Sequence, residues 1–219
     1  MNELPGKDPN TEHAELNERK WDSRAATFDQ KRFDYFRWMQ RRVIGLIDLK
    51  PGCHFLDIGC GTGWAVRYVA SLLQGEGEFC GVDISGAMIE TAQAQLRGFK
   101  NVYFYKTSAE QLPPEDGSVD FAICTNSFHH YLNPSKVLAE IYRVLRTEGR
   151  FYILDVTADD PLIRLINDRV GQREPEHVKF YCSQEYRTLS AAARLKYLNG
   201  KWIAYPVKVH ISEKVALAG

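Results

Sequence analysis

The sequence predicts an α/β fold built on a doubly wound, mostly parallel seven-stranded sheet. Short apolar runs alternate with helical segments from Cys53 to Asp155, a pattern typical of parallel strands that are buried on both faces. A glycine-rich turn follows the first of these runs, and an acidic residue ends the second. Because crossovers between parallel strands are right-handed, we expect helices on both faces of the sheet.

The region before the first strand is helical in its pattern. Residues 1 to about 15 are polar, and we expect them to be disordered or loosely attached. From Glu15 to Leu49 apolar residues recur at helical spacing, and Pro51-Gly52 marks a turn. We therefore expect a tail and N-terminal helices over residues 1–50, followed by the main domain over 51–219, as one structural unit.

The later elements follow from the change of periodicity along the chain. The predicted strands are Cys53–Ile58, Glu78–Val82, Val102–Lys106, Val119–Thr125, Arg150–Asp155, Leu195–Tyr205 and Val207–Ser212. The predicted helices are Trp64–Leu73, Gly86–Leu96, Pro134–Leu145 and Gln184–Ala193. An insertion over residues 156–182 has helical spacing at Asp160–Val170, and such loops commonly build substrate pockets.

Charge and composition narrow the classes of function. The 28 Lys and Arg residues balance 28 Asp and Glu residues, so no general field attracts phosphate backbones or anionic lipids. No apolar run is long enough to cross a bilayer, and the N-terminus lacks the apolar centre of a secretory signal. The five cysteines have no metal-ligand spacing. We expect a reduced cytoplasmic protein, monomeric or homodimeric, with no metal, no integral membrane association and no nucleic-acid partner.

The loop after the first predicted strand carries the most informative motif. That strand ends with Asp57, and Gly59, Gly61 and Gly63 follow at alternate positions. Glycines allow a tight turn and let a ligand approach the backbone closely. Asp83 ends the second predicted strand, where an acid can accept hydrogen bonds from both ribose hydroxyls of a nucleoside. A strand, a glycine loop, a helix and then an acid together predict nucleoside binding.

The spacing of the glycines distinguishes between nucleosides. It is GxGxG, whereas GxGxxG is the arrangement that brings a pyrophosphate onto a helix N-terminus, and no Lys-Ser/Thr pair of a phosphate loop follows. A carboxylate two positions before the first glycine suits a ligand with a positively charged amino group. A nicotinamide-dependent oxidoreductase is the competing enzyme class, and this spacing disfavours it.

The motif resembles that of the class I S-adenosylmethionine-dependent methyltransferases, which have a Rossmann-like fold. The resemblance spans roughly residues 50 to 156 and continues at family spacing through Ser108–Pro113, Asp120–His130, Val137–Leu145 and Gly149–Asp155. Within the class, the chain is similar to the ubiquinone/menaquinone-biosynthesis type, whose N-terminal helix lies over the cofactor. The resemblance implies S-adenosylmethionine as cofactor, S-adenosylhomocysteine as product, and a small-molecule acceptor. The fourth predicted strand leads into Thr125-Asn126-Ser127-Phe128 instead of the Asn/Asp-Pro-Pro-Tyr/Phe motif of amino-group methyltransferases of nucleic acids, which favours a carbon, oxygen or sulfur nucleophile.

The same resemblance implies which residues bind the cofactor. Its methionine part would meet Gly59, Gly61, Thr62, Asn126 and Ser127, with Asp57 near its ammonium group. Its ribose and adenine would meet Asp83, Ile84, Met88, Ser108 and Ala109, and Glu110 is a further cofactor-binding candidate.

Candidate catalytic groups follow from the chemistry of methyl transfer. The protein must align the nucleophile and exclude water, and it needs a base only if the acceptor must lose a proton. His129 and His130 follow the fourth predicted strand, and either could accept that proton. The alternative is that both are loop or helix-cap residues. Asp155, which ends the fifth predicted strand, is either a substrate contact or a solvated cap.

Acceptor contacts are expected from segments outside the motif. His177, Phe180 and Tyr181 of the insertion are candidates, and so are Trp21 and Phe28 of the N-terminal helices. The alternatives are a surface loop for the first three and core packing for the last two. A non-catalytic relative that keeps the cofactor pocket as a sensor or a complex subunit also fits the motif.

Overall fold

The computed structural model describes residues 9–28, 33–96, 98–174 and 176–216. Over these residues the helices are α1 (Pro9–Phe28), α2 (Phe33–Ile44), α3 (Trp64–Leu72), α4 (Gly86–Ala94), α5 (Pro134–Val144), α6 (Pro161–Arg173) and α7 (Ser183–Ala192). The strands are β1 (Cys53–Ile58), β2 (Gly77–Asp83), β3 (Val102–Lys106), β4 (Val119–Thr125), β5 (Leu145–Val156), β6 (Leu195–Ala204) and β7 (Val207–Lys214). None of the helices in these ranges has both the length and the apolar character needed to span a bilayer.

The seven strands form one sheet in the order β3-β2-β1-β4-β5-β7-β6. Strands β1 to β5 pair in parallel, and β7 runs antiparallel to both of its neighbours, β5 and β6. The predicted doubly wound, mostly parallel seven-stranded fold is therefore confirmed. Strand β1 lies at the centre of the parallel part of the sheet. Strands β2 and β3 follow on one side of it, and the chain then returns to add β4 and β5 on the other side. The carboxyl ends of β1 and β4 consequently flank the crevice in which such sheets bind ligands.

Alternate residues of the central strands pack on opposite faces of the sheet. In β1, Phe55 joins a cluster with residues of α2, α3 and α4, whereas Leu56 joins a cluster with residues of α5 and α7. Phe55 is 1% exposed and Leu56 is fully buried. Burial on both sides explains why β1 is an almost continuous apolar run rather than an alternating one.

The N-terminal helix begins earlier than the sequence predicts. Helix α1 starts at Pro9, so the described part of the polar segment expected to be disordered is helical, while residues 1–8 lie outside the described residues. Polar contacts anchor it in place of a broad apolar face. Glu18 pairs with Lys106 of β3 at 2.6 Å, and Asp22 accepts a hydrogen bond from the Ser85 hydroxyl at 2.6 Å. Helical spacing alone does not reveal such long-range contacts.

Strand β5 also begins earlier than predicted, at Leu145 instead of Arg150. Leu145 pairs with Val119 of β4, and the register shifts before Arg150 pairs with Phe121. Glu148, between the two pairs, has a left-handed backbone with φ of 66°. The irregular pairing allows the strand to include residues 146–149, whose types are typical of a turn.

Candidate functional site

The glycine loop lies between β1 and α3, and its backbone is left-handed at all three glycines. Gly59, Gly61 and Gly63 have φ of 75°, 52° and 73°. A side chain at Gly59 would place its Cβ 2.3 Å from the Ser127 hydroxyl oxygen, so this residue must be glycine for conformation and for space. The Gly59 amide donates to the Val82 carbonyl at 2.9 Å, which holds the loop against the end of β2.

Asp83, at the end of β2, faces the same loop. Its carboxylate accepts hydrogen bonds from the Gly61 amide at 2.8 Å and from the Ser85 amide at 2.9 Å. Desolvation raises the pKa of Asp83, and the hydrogen bonds from Ser85 and Gly61 partly offset that rise. The acid therefore braces the loop from the position where a ribose-binding carboxylate is expected.

Asp57, at the end of β1, is the most unusual charged group of this region. Its side chain is fully buried, and neither of its carboxylate oxygens has a hydrogen-bond partner among the described residues. Burial, reinforced by the charge of Asp83, raises the pKa of Asp57 to about 8. A buried carboxylate without a donor is costly unless a cation compensates it, so this position suits a ligand with a positive charge.

A cavity of about 370 Å³ opens above the carboxyl ends of β1, β2, β4 and β5. This volume lies within the range of roughly 300–1,000 Å³ that is typical of small-molecule sites. Ten of the residues assigned to the cofactor from the sequence lie on its wall: Gly59, Gly61, Asp83, Ile84, Met88, Ser108, Ala109, Glu110, Asn126 and Ser127. Asp57 and Thr62 are not on the wall but beneath it, at 0% and 1% exposure.

Helix α1 covers one side of the cavity. Trp21 and Phe28 both lie on the wall, and their rings meet edge to face with centroids 6.1 Å apart. The Trp21 ring also packs against His130, with centroids 5.5 Å apart. Lys20 forms ion pairs with Glu174, at 3.1 Å, and with Glu176, which tie the helix to the segment after α6. The helix thereby brings two sequence-predicted aromatic residues to the site.

His129 and Asp155 form a directly hydrogen-bonded pair at the end of the sheet. The Nδ1 atom of His129 lies 2.7 Å and 2.9 Å from the two carboxylate oxygens of Asp155, and the His129 amide donates to the same carboxylate at 3.1 Å. Asp155 is 1% exposed, and both residues border the cavity. Since the carboxylate accepts from Nδ1, the Nε2 atom of a neutral His129 is left with its lone pair.

His130 has a different environment from His129. It is 7% exposed, and its Nδ1 atom lies 3.0 Å from the Glu176 carbonyl, which can only accept. Burial lowers the pKa of His130 well below its usual range, with His129 adding to the effect. His130 is therefore held neutral and is engaged in joining two loops, although it also borders the cavity.

The insertion contributes one of its three candidate residues to the cavity wall. Phe180 borders the cavity, whereas His177 and Tyr181 do not. Tyr181 is 6% exposed and packs against Phe128 with ring centroids 5.5 Å apart, and burial raises its pKa to about 12. His177 lies behind Phe180, with centroids 4.3 Å apart, and burial lowers its pKa to about 4. Tyr181 and His177 therefore support the site from behind its wall.

Sequence reasoning missed several polar residues of the cavity wall, among them Tyr131 and Gln40. The Tyr131 hydroxyl lies 3.0 Å from that of Ser127, and desolvation raises the pKa of Tyr131 well above its usual value. Gln40 of α2 donates from Nε2 to the Thr125 hydroxyl at 2.9 Å. Tyr131 directly follows the two histidines, which is a signal that could have been used. No local pattern marks Gln40.

A sheet of this order, with a glycine loop after β1 and an acid at the end of β2, is typical of doubly wound α/β proteins that bind nucleosides. Comparison with known proteins gives the family. The family model described as "Methyltransferase domain" matches residues 49–197, which is more than half of the chain. The chain belongs to the methyltransferase domain family.

Individual relatives agree with this assignment. The uncharacterized methyltransferase YcgJ of Bacillus subtilis is 35% identical over 152 residues, which are 67% of this chain and 59% of that protein. A demethylmenaquinone methyltransferase of Lactiplantibacillus plantarum is 32% identical over 133 residues, covering 58% of this chain and 56% of that protein. The chain thus spans between half and two thirds of the length of these relatives.

A solved structure shares the fold over almost the whole chain. It comes from a complex between the Haloferax volcanii Trm112 methyltransferase activator and its methyltransferase partner. The TM-score is 0.82 at 19% sequence identity, and the match covers 93% of this chain and 99% of the other. At this identity the likeness concerns the fold alone.

Proposed function

We propose that the chain transfers a methyl group from S-adenosylmethionine to a small-molecule acceptor at a carbon, oxygen or sulfur nucleophile. One observation carries the proposal. A single cavity brings the glycine loop and Asp83 together with the His129–Asp155 pair. The membership of the chain in the methyltransferase domain family supports the same reaction.

The residues around the loop fit the proposed cofactor. S-adenosylmethionine supplies an electrophilic methyl group on a positively charged sulfur, and it also carries an ammonium group. That ammonium group would compensate the carboxylate of Asp57, which lacks a donor among the described residues, and would favour its deprotonated form. Asp83 is placed to hold the ribose hydroxyls, and Ile84 and Met88 offer an apolar wall to the nucleoside.

Asp155 and His129 prepare the acceptor. The carboxylate of Asp155 fixes the ring of His129 and favours the tautomer that has its proton on Nδ1. The Nε2 atom then accepts the proton that a hydroxyl, a thiol or an acidic C–H group loses as it becomes nucleophilic. His129 is thus the proposed base, and Asp155 is the positioning residue.

The acceptor is proposed to be small because α1 covers the cavity and because the chain has no net charge. The cavity of about 370 Å³ is covered by α1, which leaves little room for a macromolecular substrate. The chain has a net charge of zero, so it does not attract a polyanion. The segment 156–182 forms the acceptor side, since Val156 and Phe180 border the same cavity as His129.

The proposal is tested by measuring S-adenosylhomocysteine formation from S-adenosylmethionine with a panel of phenols, quinols and thiols. We expect turnover by the wild type and a loss of about 10²–10⁴-fold in kcat for His129→Asn, with unchanged affinity for S-adenosylmethionine. His54→Asn is the matched control, because the side chain of His54 is 40% exposed on β1. Tight S-adenosylmethionine binding without any product would contradict catalysis and favour a non-catalytic role.

A further inference from the structure

Phe180 borders two neighbouring cavities and is the one described residue that their walls share. The first is the cavity of the proposed site. The second, of about 440 Å³, lies beside it and is lined by Ala158, Arg164, Asn167, Lys179, Phe180, Cys182, Gln184 and Glu185. Phe180 is therefore the described residue at which the walls of these two cavities meet.

The main chain of Phe180 is held on the side of the second cavity. The Asn167 side chain of α6 donates from Nδ2 to the Phe180 carbonyl at 3.1 Å and accepts from the Phe180 amide at 2.9 Å. The same Asn167 oxygen lies 2.9 Å from Nε2 of His177. A single amide side chain thus satisfies both backbone groups of Phe180, as a neighbouring strand would do.

The ring of Phe180 lies toward the proposed base. Its centroid is 5.2 Å from that of His129 and 4.3 Å from that of His177. The His129 carbonyl also accepts hydrogen bonds from the Val178 amide at 2.9 Å and the Lys179 amide at 3.2 Å. These hydrogen bonds couple the position of the Phe180 ring to His129, the residue that would face the acceptor.

We infer that Phe180 is a specificity-determining residue that limits the length of the acceptor, with Asn167 as its positioning residue. This inference rests on the proposed function, because it takes the His129 side of the cavity as the acceptor site. The acceptor packs against the ring of Phe180, and a substituent that extends beyond this contact clashes with the ring. Replacing the ring by a methyl group enlarges the cavity of the proposed site beside His129, so longer acceptors gain space there.

The inference is tested with 4-alkylphenols, from 4-methylphenol to 4-octylphenol, by calorimetry on protein saturated with S-adenosylhomocysteine. In the wild type, affinity should rise with chain length up to a limit and then fall. Each buried methylene is worth roughly fourfold in Kd. In Phe180→Ala the limit should move to longer chains, with at least tenfold tighter binding of the first phenol that the wild type rejects.

Further variants keep the result interpretable. Phe180→Leu retains apolar bulk and should shift the limit less, and it replaces the alanine variant if that one does not fold. Asn167→Ala should shift the limit in the same direction, which a loss of general stability would not do. Leu165→Ala is the control on the same helix, since Leu165 is 68% exposed.

The outcomes separate this inference from the proposed function. If the wild type does not bind S-adenosylhomocysteine, the proposed cofactor is wrong and this inference fails with it. If S-adenosylhomocysteine binds but the length limit is the same in the wild type and both Phe180 variants, the inference alone is overturned. That second result includes the case in which no alkylphenol binds to any of them.

Discussion

Replacing Asp57 by asparagine should make the cofactor-free protein more stable and its binding of S-adenosylmethionine weaker. The reason for the first effect is the buried carboxyl group, which has no hydrogen-bond donor among the described residues. The reason for the second is that asparagine cannot compensate the ammonium group of the cofactor. A residue retained for ligand binding at the expense of folding behaves in this way.

The magnitude follows from the pKa of Asp57, which burial raises from 3.8 to about 8. The folded state therefore holds the proton more tightly than the unfolded state, so stability falls as the pH rises from about 3.8 to about 8 and then levels off. At 1.36 kcal/mol per unit, the carboxyl group destabilises the folded state by about 4 kcal/mol at pH 7. Between pH 5 and pH 7 the contribution grows by about 3 kcal/mol.

The assay is urea denaturation of the wild type and Asp57→Asn without cofactor, from pH 5 to pH 8. The effects of groups that do not interact with Asp57, such as the buried histidines His130, His177 and His210, are common to both proteins and cancel in the difference. The amide of asparagine remains buried, and its cost does not vary with pH. We expect the stability advantage of the variant to increase with pH by about 3 kcal/mol between pH 5 and pH 7. A difference that stays constant over this range would refute the reasoning.

Calorimetry with S-adenosylmethionine measures the second effect of the same substitution. Loss of one partner from a buried charge pair is typically worth several kcal/mol, so the variant should bind the cofactor roughly 100-fold more weakly. Because Asp57 is largely protonated at pH 7, binding to the wild type should also release a proton, which two buffers of different ionisation enthalpy would reveal. Equal affinity of both proteins would contradict the assigned role of Asp57.

Two further predictions concern the glycine loop and a buried histidine. Gly59→Ala places a Cβ 2.3 Å from the Ser127 hydroxyl at a φ of 75°, so it should lower stability by about 1–3 kcal/mol and weaken cofactor binding, as denaturation and calorimetry would show. An unchanged affinity would mean that the loop does not need its backbone shape. His210 of β7 is 2% exposed, and burial lowers its pKa to about 4. Because the unfolded state then binds the proton more tightly than the folded state, titration of His210 should lower the free energy of unfolding by about 3 kcal/mol as the pH falls from 6.5 to 4. Acid denaturation of His210→Gln should therefore show a smaller decrease in stability over this pH range than the wild type does. The same dependence on pH in both proteins would contradict the explanation.

Elements with strong local signals were predicted closely from the sequence. The bounds of β1, β3 and β4 agree with the prediction residue for residue, because each is an apolar run with a turn or loop at both ends. The glycine loop was located for a similar reason. Its conformation depends on residue types that are adjacent in the chain, so spacing alone identifies it.

Features that depend on distant residues were not predictable in the same way. Gln40 reaches the site only because α2 packs near the end of β4, where it contacts Thr125. Helix α1 is polar, and its early start has distant partners: Asn10 accepts a hydrogen bond from Asn133, and His13 lies within hydrogen-bond distance of the His130 carbonyl. Tyr181 is adjacent to Phe180, yet one lies in the core and the other borders the cavity. Residue type does not distinguish those two positions, whereas the pairing of Asn167 with the backbone does.

The most direct test of the central claim is the choice between nucleoside cofactors. Equilibrium dialysis of the wild type with labelled S-adenosylmethionine and with labelled NAD compares the two ligands on the same protein. We expect saturable binding of one S-adenosylmethionine per chain, displaced by S-adenosylhomocysteine and unaffected by excess NAD. Binding of NAD in preference to S-adenosylmethionine, or binding of neither, would contradict the assignment of the glycine loop, Asp57 and Asp83 to this cofactor.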